Sequence, residues 1–156
     1  MLKPFTVKKQ LMIGGLMLLL TLFVTSAISL FVIIRPYRKD KEEAIKIANQ
    51  YTGLETVDSY SLFHFDESYY SLSGWTENQE IHVLIPQDGG QILTFSAEEG
   101  VSANEVKETV QKLGAQQIKR VTLGIIANQP VWEVFSDGQF FYFDFKTGEQ
   151  LSEEDI

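Results

Sequence analysis

The sequence predicts an α+β protein: an N-terminal transmembrane helix followed by two tandem units, each a helix plus a three-stranded antiparallel sheet. Three observations predict this. Residues 10–34 carry no charged side chain, the apolar period beyond them switches twice from helical to alternating, and the two helix-then-strand stretches recur at a fixed offset.

The first element is the run from Gln10 to Ile34, QLMIGGLMLLLTLFVTSAISLFVII. At about 1.5 Å per residue its helix exceeds a hydrocarbon core of roughly 30 Å. A cleaved signal peptide is the alternative, since Lys3, Lys8 and Lys9 form a positive start and Thr25–Ala27 ends in a small residue. The apolar run continues to Ile34, past the about 7 to 15 residues of a signal-peptide core, which favours an uncleaved anchor over residues 10–35. The absence of cysteine excludes lipoprotein attachment and disulfides. Basic residues flank the run on both sides, with Arg35, Arg38, Lys39 and Lys41 after it, so their count does not decide the orientation.

Charge separates the two parts of the chain. All 21 acidic residues lie between Asp40 and Asp155, and the net charge is -8. A body this acidic argues against binding nucleic acid and against lying flat on an anionic bilayer.

Pro36 is expected to break the membrane helix, because it lacks an N–H and restricts the residue before it. Asp40 and Glu43 then have the spacing of a capping box for a second helix. Its apolar face is Ala44, Ile47, Ala48 and Tyr51, and Gly53 sits where a terminating glycine belongs. Alternation follows. VDSYSLFHF puts Tyr60, Leu62 and His64 on one face and Phe63 and Phe65 on the other; SYYSLSGW and EIHVLIP are further strands, and DGG at Asp88–Gly90 is a turn before QILTF. The pattern then repeats: a capping box at Ser102 and Glu105, an apolar face of Ala103, Val106, Val110 and Leu113, a closing Gly114, and the strands QIKRVTLGII, PVWEVF and QFFYFDF.

An offset of 61 relates Gly53 to Gly114, Val57 to Ile118, Tyr60 to Val121 and Leu62 to Leu123. The units are read as residues 36–100 and 101–156. Each is near the lower size limit for an independent core, so the two are expected to pack together. The second ends in FYFDFKTGEQL, an aromatic strand running into Asp144-x-x-x-Gly148, which resembles PepSY-like, cystatin-like units. With the anchor, the basic collar and Gly90 in the first unit, the whole chain resembles the YpmB/TseB-like family of Firmicutes, the cell wall elongation regulator type. The resemblance implies a cytoplasmic tail at residues 1–9, a single-pass anchor in the cell membrane, and an extracytoplasmic body acting on a membrane-bound penicillin-binding protein. It implies no catalytic residues.

The residues themselves offer little chemistry. There is no cysteine, G-x-S-x-G or S-x-x-K, and no glycine-rich phosphate loop. His64 and His82 lie singly in strands and read as half-exposed strand residues. The acidic pairs Asp66/Glu67, Glu98/Glu99 and Glu153/Glu154 are adjacent in sequence rather than at ligand spacing, so no metal and no cofactor is expected. The expectation is a non-enzyme. Inhibition or modulation of an extracytoplasmic peptidase is the alternative function, following from the PepSY resemblance.

Candidate partner contacts are aromatic. Trp75, in SGWTENQ, is next to a turn and expected near the surface, while Trp132, in PVWEVF, is expected within the sheet. In FFYFDF, alternation sends Phe141, Phe143 and Phe145 to the core and leaves Phe140 and Tyr142 on the other face. Trp75, Phe140 and Tyr142 are the candidate partner-binding residues.

Overall fold

The structure, a computed structural model, describes residues 7–152. The chain divides into two compact units at residue 42. Its elements are α1 (Val7–Thr52), β1 (Thr56–His64), β2 (Ser68–Trp75), β3 (Glu80–Pro86), β4 (Leu93–Ser96), a 3-10 turn (Ala97–Glu99), α2 (Ala103–Lys112), β5 (Ile118–Ile126), β6 (Gln129–Ser136) and β7 (Gln139–Asp144). This is the α+β architecture expected, with an N-terminal apolar helix and two antiparallel sheets. The first sheet carries a fourth strand, formed by the end of the QILTF run.

Within the first unit, Lys9–Ser29 is long and apolar enough to cross a membrane. Three of its hydroxyls are satisfied inside the helix: Thr21 donates to the Met17 carbonyl at 2.6 Å, Thr25 to the Thr21 carbonyl at 2.8 Å and Ser29 to the Thr25 carbonyl at 2.9 Å. Such back-bonding removes the penalty of placing a hydroxyl in hydrocarbon.

Pro36 does not end the helix. α1 continues through it, and Asp40 and Glu43, expected as a capping box, are interior helical residues. An internal proline costs about 3 kcal/mol. That local cost is opposed on both sides, by an apolar run with no alternative way to pair its backbone in lipid and by the Lys-, Glu- and Ala-rich stretch 39–48.

In the second unit the end of α1 covers one face of the first sheet. Ala44 and Ala48 pack with Leu54, Leu72, Ile81, Val83 and Ile85 in one core cluster. Tyr51, expected on this apolar face, is 69% exposed. Gly53 turns the chain at φ 72°, and Leu54 fills the cluster instead. A positive φ of this kind favours glycine.

The sheet orders are β1-β2-β3-β4 and β5-β6-β7. Each first strand has a bulge, between Val57 and Ser59 in β1 and between Ile118 and Arg120 in β5. The two irregularities are separated by the same offset of 61 found in the sequence. A second core cluster draws on both sheets and on α2: Phe63 and Leu84, Val106 and Val110, and Leu123, Trp132, Phe143 and Phe145. Phe143 and Phe145 are fully buried, which makes FFYFDF chiefly a core strand.

Candidate functional site

Two features stand out on the second unit. The first is a row of aromatic rings on the face of the second sheet that carries Arg120, Glu133, Phe135, Phe140 and Tyr142. Register explains the row, since Arg120, Phe135 and Phe140 stand opposite one another, as do Thr122, Glu133 and Tyr142. Phe135 and Phe140 have ring centroids 4.7 Å apart, Phe140 stacks on Tyr142 at 6.5 Å, and Phe65 meets Tyr142 edge-on at 5.8 Å. Lys119 Nζ lies 5.7 Å from the Phe135 centroid. Beneath the row, Arg120 Nη2 donates to the buried Glu133 Oε1 at 2.7 Å. Partial burial and the Glu133 carboxylate push the Tyr142 phenol above its usual range.

Of the candidate contacts, Phe140 and Tyr142 are neighbours in β7, with Phe140 51% exposed. Trp75 belongs to the other sheet, at the end of β2 between Thr56 and Glu80, and is 49% exposed. Trp132 is buried, its indole N–H donating to the Val101 carbonyl at 2.9 Å.

The second feature is a cleft of about 440 Å³ between the first sheet, β5 and the start of α2, lined by Ser59, Ser61, Ser71, Ser73, His82 and Thr122 together with the charged Asp58, Glu80, Lys107, Lys119 and Arg120. Ser59 pairs with Ser73 and Ser61 with Ser71, so the four serines form a square on one sheet face. Alternation within SYS and SLS was the available sequence signal; which pairs face each other depends on register. His82 is not half-exposed but 4% exposed, because Trp132 and Phe145 stand edge-on against it at 5.2 and 5.9 Å. Burial pushes its pKa down to about 4, which keeps the imidazole neutral. Its Nδ1 shares a 2.7 Å hydrogen bond with Ser73 Oγ.

A serine beside a histidine raises the question of a nucleophile and its base. Among the described residues no carboxylate lies within ion-pair distance of His82, and its Nδ1, which an orienting acid would engage in a triad, is taken by the serine. Among the described residues, none of the His, Asp and Glu side chains form a group of three or more able to hold a metal.

Comparison with known proteins bears on this arrangement. The profile of the cell wall elongation regulator TseB-like domain matches residues 43–86. That stretch contains every buried residue of the first core cluster, from Ala44 to Ile85. The YpmB protein from Bacillus subtilis is 31% identical, with a TM-score of 0.58 over 71% of this chain and 93% of that one. The chain belongs to the TseB-like family. A protein from Clostridium difficile 630, described only provisionally as a lipoprotein, is 16% identical with a TM-score of 0.37, over 72% of this chain and 90% of that one. At that distance it carries no argument about this member of the family. Comparison with curated proteins gives no significant match.

Proposed function

We propose that this TseB-like protein is a non-catalytic regulator, anchored by residues 10–35 with residues 1–9 in the cytoplasm. Its extracytoplasmic body binds a penicillin-binding protein that builds the cell wall, and so influences elongation. The observation that carries the proposal is the exposed Phe140 stacked among the half-buried Phe135 and Tyr142, on a body that is otherwise strongly acidic. Exposed aromatic side chains lose little entropy when covered and are enriched at binding hot spots. Anchoring supports the reading, because confinement to a membrane raises the effective concentration of a neighbouring membrane protein, so a small contact surface suffices. The Ser73 and His82 pair, bonded through Nδ1 with no carboxylate to orient the imidazole among the described residues, favours a binding role over a hydrolytic one.

In-cell photocrosslinking tests the reading, with a photoreactive residue placed at Phe140, and separately at Trp75, in the full chain. The expected product is an adduct with a penicillin-binding transpeptidase from Phe140, weakened when Tyr142→Ala is added. Adducts only with a peptidase, or only with proteins outside wall synthesis, would overturn it.

A further inference from the structure

We propose that the cleft between the first sheet, β5 and α2 binds a short peptide with free ends, its ammonium toward Asp58 and Glu80 and its carboxylate toward Lys107. The proposal rests on the cleft, not on the aromatic row or the partner it contacts.

The walls of the cleft carry opposite charges. Asp58 and Glu80 come from the first sheet, where Glu80 shares the His82 side of β3 by alternation. Lys107 comes from α2, one turn beyond Ala103 and Asn104, which line the same cleft. The two other bases of the lining are engaged elsewhere, Arg120 with Glu133 at 2.7 Å and Lys119 over the Phe135 ring. Among the described residues Asp58, Glu80 and Lys107 make no ion pair, although one cleft holds all three. Their charges are available to a ligand.

The floor supplies a second, independent observation. Ser71 is 3% exposed and His82 4%. Ser71 Oγ has no hydrogen-bond partner among the described residues, and His82 engages Ser73 through Nδ1 alone, which leaves Nε2 without one. Neither atom is sealed inside the protein as Thr122 Oγ1 is, so both are reached from the cleft that they line. Polar atoms this deep are unfavourable unless water or a ligand meets them.

Together the two features select the ligand. A simple anion drawn to Lys107 also meets Asp58 and Glu80, and a simple cation drawn to those carboxylates also meets Lys107. An uncharged ligand uses neither wall. A short peptide with free ends carries both charges at once, and its amide N–H and C=O groups complement a floor of serine hydroxyls and a neutral imidazole. Trp132 adds an apolar wall for a small side chain. The volume of about 440 Å³ is in the range of small-ligand sites.

The test uses the full chain in nanodiscs, titrated by calorimetry with dialanine and tetraalanine, each with free ends, with an acetylated amino end, or with an amidated carboxyl end. Saturable binding of at least one free-ended peptide is expected, about tenfold tighter than either blocked form, the loss of roughly one charged hydrogen bond. Lys107→Gln should weaken the free-ended peptide about tenfold and leave the amidated one unchanged, because the amidated form has no carboxylate to lose. Glu80→Gln should weaken the free-ended peptide and leave the acetylated one unchanged. Both variants should keep the wild-type melting temperature, since neither charge is paired in the fold. Binding of no free-ended peptide, equal affinity for the blocked forms, or wild-type affinity in both variants would each overturn the proposal.

Discussion

The strands β1 and β5 occupy equivalent places in the two repeats and yet carry different side chains on the face away from the helix. They share the bulge, the alternation and a helix against the Tyr60 or Val121 side. On the side away from the helix, Ser59, Ser61 and Phe63 in β1 correspond to Arg120, Thr122 and Gly124 in β5. The large residue of one repeat meets the absent side chain of the other, since Phe63 lies where a Cβ at Gly124 would be. Helix-covered faces preserve the unit; the faces away from the helices have diverged to fit each other and to leave a cleft and an aromatic row.

Filling the missing side chain is the strongest way to break this relation. Gly124→Val should cost about 4 kcal/mol, beyond the about 1–3 kcal/mol usual for overpacking, because the blocked neighbour is a fully buried ring. Phe63→Ala in the same chain should recover part of that loss, with a coupling above about 1 kcal/mol by urea unfolding. A cost for Gly124→Val within about 0.5 kcal/mol, as for a surface site, would mean that β5 does not press on β1 at all.

What sequence reasoning could see follows from the range of the forces involved. Strand faces were legible because alternation is local: Phe143 and Phe145 went to the core and Phe140 to the surface as the period requires. The cleft was not legible, because it depends on Ser59 meeting Ser73 across a hairpin and on β5 lying over both. His82 was misread for the same reason. Its face was evident, but only the second sheet, through Trp132 and Phe145, makes that face an interior one.

His82 therefore measures how firmly the sheets exclude water. Its folded pKa is depressed to about 4 from a reference of 6.5, so its contribution is fully present above pH 6.5 and is lost as pH falls toward 4. Across that window the unfolded chain binds the proton first, and stability should decline by up to about 3 kcal/mol. Comparing wild type with His82→Asn from pH 7 to 4 isolates this part from the titration of carboxylates. Equal pH slopes in the two proteins would show that His82 is solvated and the sheets are loosely joined.

The smallest effect separates the two capping boxes that the sequence offered as equals. At α2, Ser102 Oγ accepts from the Glu105 N–H at 3.2 Å and the Glu105 carboxylate accepts from the Ser102 N–H at 2.7 Å. These hydrogen bonds hold the Glu105 carboxyl below its usual range. At Asp40 and Glu43 the same spacing falls inside a continuous helix, where the backbone N–H groups are already engaged and no cap is needed. Ser102→Ala should thus cost about 1 kcal/mol, whereas Asp40→Ala should change stability by less than about 0.5 kcal/mol, since alanine is the better helix former. Thermal unfolding of the two variants decides the matter: a loss at Asp40 equal to that at Ser102 would mean that α1 is broken near Pro36 and that a second helix begins at Asp40 after all.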